Sequence, residues 1–356
     1  MKVNVERLDL LRSRLNLSKS EFADKIGVDR KTIQRFERGQ ADLSEKTIER
    51  VTLISGYPAE FLAKSTPEMP NLDGVSFRSL RSLTAKARDG ALAAAALAFE
   101  LDDWVHTRFD LPAHDVPQIV GRTPQEAAIA LRVRWGIGVR PIANMLNVLE
   151  SRGVRVFSLS EETRHLDAYA FWRINKPYVF LNTCKTAEHA KFDAAHELGH
   201  LVLHRHSGSK HKSAEQEAHM FASEFLMPEA DLIAHVPMVR SLKELIGAKR
   251  RWGVSTSALI YALRRLNRIS EWNARGFYLE LNRQGRDREP NPMPRETSQI
   301  WTKVLTALWR DSMTLSRLST ELCIPEKELN NLLFNIAAPT RTPSDNARPG
   351  LRLISN

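Results

Sequence analysis

Residues 191–204 read KFDAAHELGHLVLH, and the sequence His-Glu-Leu-Gly-His begins at position 196. Seven of the eleven histidines of the chain lie between positions 189 and 219, so imidazole groups are concentrated around this stretch. Alanine and leucine at regular intervals predict a helix here. Since residues i and i+4 lie on one face of a helix, His196 and His200 can bind the same ion.

The H-E-x-x-H spacing combines the groups that a zinc hydrolase needs. Zinc accepts neutral imidazole nitrogen, and catalytic zinc sites keep one position open for water. Glu197 directly follows the first histidine, so it can take a proton from that water as a general base. We therefore predict zinc (Zn2+) as the cofactor, His196 and His200 as metal ligands and Glu197 as the catalytic residue. Because the motif fixes so few positions, the assignment also requires a third ligand downstream.

A second predicted helix, at 214–227, offers several candidates for that third ligand. The candidates are carboxylates and one weaker imidazole: Glu215, Glu217, Glu224 and His219. Glu215 and Glu217 project about 200° apart on a helix, so both cannot face one metal ion. Helical periodicity alone does not choose between them.

KFDAAHELGHLVLH, followed by EQEAHMFASEFLMP at 215–228, resembles the ImmA/IrrE family of zinc metallopeptidases. The resemblance includes a predicted strand at 178–182 that ends in Asn shortly before the zinc helix. It implies a zincin-like domain, hydrolysis by zinc-activated water and a protein substrate, possibly a repressor. Carried over to this spacing, the third metal ligand of the family is Glu217. The chain departs from the family pattern at His219, where Asn is common, and in the basic, His-rich segment between the two helices.

Peptide hydrolysis also requires a group that stabilises the developing oxyanion. The sequence offers four candidates without choosing among them: Tyr169, Tyr178, His204 and His206. Asp193 or His204 can orient a ligand imidazole, since both lie near the ligand face of the predicted helix.

The N-terminal 63 residues have the pattern of a helical DNA-binding domain. Ser18 and Glu21 form an S-x-x-E capping box, and Gly27 supplies a turn before a second helix at 30–38. Arg and Gln side chains can form paired hydrogen bonds with guanine and adenine edges in the major groove. The predicted DNA contacts are one residue near the first helix and the polar face of the second: Lys19, Arg30, Lys31, Gln34, Arg35 and Arg38.

EFADKIGVDRKTIQRFERG at 21–39 resembles the XRE-type (Cro/cI-like) helix-turn-helix domain. The resemblance implies a five-helix domain, double-stranded operator DNA as a partner and a homodimer. Residues 1–65 hold 13 basic and 10 acidic residues, a net charge of only +3. The DNA-binding prediction therefore rests on the pattern of one helix, since bulk charge contributes little.

The whole sequence predicts a mainly α protein with a small β-sheet, in the α+β class. Three β-rich runs, at 154–159, 169–174 and 178–181, are expected to form the sheet. Proline, glycine and charge divide the chain into a helix-turn-helix domain at 1–63, a linker at 64–77, a zincin-like metallopeptidase domain at 78–281, a linker at 282–296, a C-terminal helical unit at 297–336 and a disordered tail at 337–356.

The C-terminal unit again has helix-turn-helix periodicity, over 316–334. Its second helix carries Glu326 and Glu328, which favours packing or dimer contact over base reading. No internal repeat at a fixed period is visible. The segment 240–311 holds 15 basic and 7 acidic residues, and this excess of +8 suits either a phosphate or acidic partner or a solvated face.

Composition excludes several classes of protein. The 356 residues include 42% hydrophobic residues, which argues against wholesale disorder, and the net charge is +10. No apolar run reaches the roughly 18–20 residues that span a bilayer, so no membrane contact is expected. Cys184 and Cys323 alone give no disulfide framework, and we expect a cytoplasmic protein.

Both resemblances and the metal motif indicate a DNA-binding transcriptional regulator with a zinc-dependent endopeptidase domain that cleaves a repressor or another regulatory protein. The alternatives are a non-enzymatic transcriptional regulator and an antitoxin. In both, the zincin fold would serve as a ligand sensor or an interaction module. Glu197 argues against them, because a structural zinc site normally has four protein ligands and no base.

Overall fold

The computed structural model describes residues 1–71, 83–159, 166–205, 212–283, 285 and 289–336. The predicted fold class is confirmed, since helices dominate and one small mixed sheet is present. The predicted disordered tail at 337–356 lies outside the described residues. None of the helices within the described ranges is both long and apolar enough to span a bilayer.

The elements follow the chain in three groups. The N-terminal helices are α1 (Val5–Arg14), α2 (Lys19–Ile26), α3 (Arg30–Glu37), α4 (Glu45–Ser55), α5 (Ala59–Ala63) and α6 (Ala85–His106). The central elements are α7 (Pro124–Arg134), α8 (Met145–Ser151), β1 (Arg155–Leu159), β2 (Ala168–Arg173), β3 (Lys176–Asn182), α9 (Ala187–Leu203), α10 (Lys212–Leu226), α11 (Glu229–His235), α12 (Leu242–Ala248), α13 (Thr256–Arg265) and α14 (Glu271–Arg283). The C-terminal helices are α15 (Gln299–Arg310), α16 (Leu315–Leu322) and α17 (Glu326–Leu332).

The sheet divides the protein into two hydrophobic cores. Its strand order is β1–β3–β2, with β1 parallel and β2 antiparallel to β3. Because side chains alternate along a strand, aromatic residues occupy one face and small aliphatic residues occupy the other. The aromatic face comprises Phe157, Tyr169, Phe171, Tyr178 and Phe180. The aliphatic face comprises Val156, Ala168, Ala170, Val179 and Leu181.

The first core joins the two ends of the chain. The N-terminal helices, α6, the aromatic face of the sheet and the C-terminal helices all pack in it. Alanine-rich α6 allows close packing, and a Cβ atom at Gly90 would lie 3.1 Å from the carbonyl oxygen of Ser13 in α1. This helix follows the predicted 64–77 linker and nevertheless packs with the N-terminal helices. The limits of the predicted domains stay a prediction.

The second core contains the aliphatic face of the sheet and the helices from α7 to α14. Helix α9 lies against this face and against α10, with Leu198 and Val202 fully buried. The apolar side of this helix therefore packs inward. The second core therefore holds the helix that carries the H-E-x-x-H residues.

Candidate metal centre

The turn between β3 and α9 fixes where the zinc-motif helix begins. Asn182 ends β3, and its side-chain amide donates a hydrogen bond of 2.7 Å to the carbonyl of Leu166. Its side-chain oxygen accepts a 2.8 Å hydrogen bond from the backbone N–H of Cys184. Thr186 then caps α9 by accepting a hydrogen bond from the backbone N–H of His189. The helix is thus held at its N-terminus by the sheet and by its own cap.

Gly199, inside the motif, allows α9 and α10 to approach closely. A Cβ atom at this position would lie 3.1 Å from Phe221 Cδ1 and 3.2 Å from Ala218 Cα. Both neighbours are fully buried, so they have little room to move away. The glycine therefore sets the distance between the two helices whose side chains meet at the candidate site.

Replacing Gly199 with Val should lower the free energy of unfolding by about 1–3 kcal/mol, because the added methyl groups overpack this crossing. Denaturant unfolding of the purified protein measures the effect. Gly247→Val is the matched control, since a Cβ atom at Gly247 in α12 would meet no atom within 4 Å. Equal effects at the two positions would contradict the close-approach argument.

Three side chains of α9 and α10 bring their donor atoms together. The Nε2 atoms of His196 and His200 lie 3.1 Å apart. Glu215 places one carboxylate oxygen 3.3 Å from Nε2 of His196 and the other 3.6 Å from Nε2 of His200. Ligands bound tetrahedrally at zinc–nitrogen distances of about 2.0–2.1 Å lie about 3.3 Å from one another. The spacing of the three donors therefore fits a zinc ion.

Glu217 lies outside this group of donors. Its Oε2 atom is 3.0 Å from Nε2 of His204, and Nδ1 of His204 is 3.1 Å from Nδ1 of His200. The structure thus favours Glu215 as third ligand in place of Glu217, which the family resemblance had indicated. The physical reason is that the two residues project about 200° apart on α10, so Glu215 meets His196 and His200, whereas Glu217 meets His204.

The remaining candidates for the third ligand lie elsewhere. Glu224 is 2% exposed, and its Oε2 atom pairs at 3.1 Å with Arg265 of α13. The ring of His219 lies 6.5 Å from the ring of His196, between centroids. Among the described residues, the only group with metal-ligand geometry is therefore His196, His200 and Glu215.

Burial and the mutual contacts set the charge of the donors. Burial lowers the pKa of His200 to about 4, so its imidazole is neutral at neutral pH, the form that binds metal. Burial alone would raise the pKa of Glu215, but hydrogen bonds to His196 and His200 outweigh it and lower this pKa. Two imidazoles and one carboxylate therefore offer a donor set of single negative charge, which suits a divalent ion.

Of the two predicted orienting residues, His204 contacts a ligand ring directly, through Nδ1 of His200. Asp193 lies on α9 one turn before His196, and burial raises its pKa to about 7. Its Oδ2 atom is buried and has no hydrogen-bond partner among the described residues. The structure therefore supports an orienting role for His204 and gives no such contact for Asp193.

The predicted DNA-reading residues lie together on one side of α3. Ile33 and Phe36 are buried, whereas four cationic side chains are exposed and Gln34 is half-buried. The exposed cations are Arg30, Lys31, Arg35 and Arg38. The capping box of Ser18 and Glu21 and the positive φ of Gly27, 66°, are both confirmed.

Lys19 differs from the other predicted DNA contacts. Its Nζ atom lies 2.7 Å from Glu37, and its side chain is 50% exposed. A surface ion pair of this kind is weak, so a phosphate can compete for the ammonium group. The structure therefore leaves Lys19 available at the edge of the α3 surface.

Comparison with protein families gives two matches. Residues 8–60 match the helix-turn-helix family, and residues 149–264 match the IrrE N-terminal-like domain of peptidase family M78. One chain therefore carries a region that matches each of the two domain types, in the predicted order. This confirms both predicted resemblances. No protein of curated function matches the chain.

The helix-turn-helix domain contains the exposed face of α3, and the IrrE-like domain contains all three clustered donors. The first match supports a DNA-binding regulator and the second a peptidase-family domain. Glu197, predicted as the general base, lies in the IrrE-like domain between the two histidines and is 2% exposed. The predicted catalytic residue is therefore buried on the helix that carries two donors.

Two predicted oxyanion donors of the IrrE-like domain donate their hydroxyl hydrogen bonds to other parts of the protein. Tyr169 donates a hydrogen bond of 2.8 Å to the carbonyl of Ala91, and Tyr178 donates one of 2.6 Å to Asp102. Both tyrosines lie on the aromatic face of the sheet, whereas α9 lies on the aliphatic face. His206 lies outside the described residues. The structure therefore places Tyr169 and Tyr178 away from the metal centre.

Sequence reasoning missed Tyr261, an aromatic residue near the metal centre. Its ring lies 4.9 Å from the ring of His219, which itself neighbours His196. Tyr261 belongs to α13, and no local pattern connects that helix with the motif at 196–200. His219, by contrast, lies one turn after Glu215 on α10, and the sequence named it as a weaker candidate for the third ligand.

Proposed function

We propose that the chain is a transcriptional regulator whose helix-turn-helix domain binds operator DNA and whose IrrE-like domain is a zinc-dependent endopeptidase. Its substrate would be a regulatory protein, a repressor being the expected case. The observation that carries the proposal is the cluster of His196, His200 and Glu215. Glu197 lies beside this cluster, on the helix of the two histidines.

The donor set supports zinc as the cofactor. Two neutral imidazoles and one carboxylate are a ligand set of catalytic zinc sites, which leave a fourth position open. Nδ1 of His200 faces His204, so its Nε2 atom is directed at the other two donors. When bound, zinc would polarise a peptide carbonyl and lower the pKa of water.

Glu197 would act as the general base. Its position next to His196 places it on the helix that carries two metal ligands, and its burial at 2% exposure keeps bulk water away. A carboxylate in this position accepts the proton of the attacking water and returns it to the leaving amine. His219 of α10, whose ring lies 6.5 Å from that of His196, and Tyr261 of α13, which contacts His219, remain for substrate or oxyanion contact.

The non-enzymatic alternatives are less well supported. A structural zinc site is normally closed by four protein ligands, whereas the described residues bring three donors together. A ligand sensor or an interaction module would also have no need for a buried carboxylate beside the donors. The arrangement therefore favours catalysis over a regulator or an antitoxin without enzymatic activity.

A comparison of cellular proteins tests the peptidase function. Cells that produce the wild-type chain and cells that produce Glu197→Gln should differ in one or a few regulatory proteins, which disappear only with the wild type. New protein termini in the wild-type sample identify the cleaved bond. If every protein survives equally in both cultures under all inducing conditions tried, the endopeptidase proposal fails.

DNA reading by α3 is tested separately. Replacing Arg30 and Arg35 with Ala should weaken binding by about 1–3 kcal/mol for each lost base contact and relax the sequence preference. The measurement uses duplexes selected from a random pool by the wild-type protein. Arg275→Ala is the matched control, since Arg275 is 75% exposed but lies on α14, away from α3. Unchanged affinity of the double variant would contradict the assignment of α3.

A further inference from the structure

The C-terminal helices repeat the architecture of the N-terminal ones at a constant offset of 296 positions. Helix α2 covers Lys19–Ile26 and α16 covers Leu315–Leu322, which are equal in length and 296 positions apart. The preceding helices end at Arg14 and Arg310, and the following helices begin at Arg30 and Glu326, again with the same offset. We call α1–α3 the N-terminal unit and α15–α17 the C-terminal copy.

The turns between the helices coincide as well. Asn16 and Ser312 have φ angles of 52° and 58°, and Gly27 and Cys323 have φ angles of 66° and 57°. A positive φ is uncommon at residues other than glycine, so its recurrence at corresponding positions indicates the same turn. Corresponding backbone hydrogen bonds close the turns. In the first turn, the N–H of Leu17 donates to the carbonyl of Arg12, and the N–H of Met313 donates to the carbonyl of Leu308. In the second turn, Val28 donates to Ala23, and Ile324 donates to Ser319.

The C-terminal copy lacks the three arginines of the predicted DNA-reading surface, although Lys327 stands at the position of Lys31 and Asn330 at that of Gln34. At the positions of Arg30, Arg35 and Arg38 of the N-terminal unit, it has Glu326, Asn331 and Phe334. Exchange of three cations for an acid, an amide and an aromatic ring removes the groups that contact phosphate and guanine. The copy has therefore kept the helix-turn-helix fold but has lost the three arginines of the DNA-reading surface.

The C-terminal end of α17 contacts the central sheet through its backbone. The hydroxyl of Ser158 in β1 donates a hydrogen bond to the carbonyl of Asn331, and its oxygen accepts one of 3.0 Å from the backbone N–H of Phe334. Ser158 is 1% exposed, so this junction is closed to solvent. The end of α17 is thus buried against the sheet, whereas Glu326 and Lys327 at its start stay exposed.

Another side of the C-terminal copy packs against the N-terminal unit. Glu328 of α17 lies 2.6 Å from Nη2 of Arg14 at the end of α1, and the Arg14 side chain is only 3% exposed. Lys64, just after α5, donates a 3.0 Å hydrogen bond to the carbonyl of Leu322. The apolar residues of both units share the first core. The end of α1 is therefore held against the C-terminal copy within one chain.

We propose that the C-terminal copy is the permanent intramolecular partner of the N-terminal unit, so that the chain binds DNA as a monomer and reads one half-site. In two-fold helix-turn-helix regulators the partner of each unit is the same unit of another chain, and the operator has two half-sites. Here a second helix-turn-helix of the same chain contacts the end of α1 and Lys64 just after α5. The inference rests on the proposed DNA reading by α3, and it replaces the expected homodimer.

Sedimentation equilibrium and duplex selection with the full-length protein test the proposal. We expect a monomer at micromolar concentration, one chain per duplex, and selected sequences with a single asymmetric site. A dimer in solution, or paired half-sites about 10 base pairs apart, would overturn it. If no duplex is enriched, DNA reading by α3 fails, whereas the sedimentation result still decides whether the chain pairs internally.

A charge reversal tests the contact itself. Glu328→Arg should lower the melting temperature by several degrees and promote self-association, because two cations would then meet at a buried position beside Arg14. Glu326→Arg is the matched control, since Glu326 lies in the same first turn of α17 but is exposed. Adding Arg14→Glu to Glu328→Arg should restore part of the loss. Equal melting temperatures and equal association for the two single variants would refute a stabilising interface.

Discussion

Replacement of Glu197 by Gln should reduce peptide cleavage by about 10²–10⁴-fold, the contribution that a positioned general base typically makes. Gln has the shape of Glu but accepts no proton, so water at the site stays a poor nucleophile. Zinc content should remain that of the wild type, because Glu197 is not among the three clustered donors. The measurements are cleavage of the protein that disappears in cells and elemental analysis of the purified variant.

Glu229→Gln is a suitable control for this variant, because Glu229 is an exposed carboxylate at the start of the nearby α11. It should cleave at the wild-type rate. A melting curve of Glu197→Gln should show a folded protein, since loss of a buried charge removes a desolvation cost. Cleavage by Glu197→Gln within a few-fold of the wild-type rate would show that another residue is the base.

The features that sequence predicted correctly are those that one helix contains. His196 and His200 are four residues apart, so any helix brings them together, and their Nε2 atoms lie 3.1 Å apart. The capping box of Ser18 and Glu21 and the turn at Gly27 depend on only a few neighbouring residues. Such local patterns are sufficient to predict both domain types without any tertiary contact.

The features that sequence could not predict depend on how separate elements pack. The choice between Glu215 and Glu217 depends on the rotation of α10 about its axis, which packing against Gly199 of α9 determines. Tyr169 and Tyr178 were plausible oxyanion donors until the sheet directed them to the opposite face from α9. Neither fact can be derived from the periodicity of a single element.

Helix-turn-helix periodicity at 316–334 was visible in the sequence, but the constant offset between the two units was missed for a different reason. Few side chains are identical across the offset of 296 positions, although buried positions such as Ile26 and Leu322 correspond. Core positions tolerate exchange among apolar residues, so two sequences can keep one fold without recognisable similarity. Cys323 in place of Gly27 also hides the turn, because a non-glycine residue with positive φ is not expected from sequence.

Glu215→Gln should lower zinc affinity more than Glu217→Gln, because the first change removes a donor whereas the second acts only through a neighbour. Glu217 contacts His204, which in turn contacts Nδ1 of His200, so its loss weakens only the orientation of a ligand. Residues that orient a metal ligand without binding the metal themselves typically contribute about 10–100-fold to metal affinity. His204→Gln should therefore resemble Glu217→Gln, and both should bind zinc more tightly than Glu215→Gln.

Competition with a chelator of known affinity measures the order of these variants. The two glutamates are two residues apart on α10, and each is replaced by an amide of the same shape, so their helix propensity and bulk are matched. A difference between them therefore reports the direction in which each carboxylate points. If Glu217→Gln bound zinc more weakly than Glu215→Gln, α10 would have to be rotated in the metal-bound protein, and Glu217 would be the third ligand.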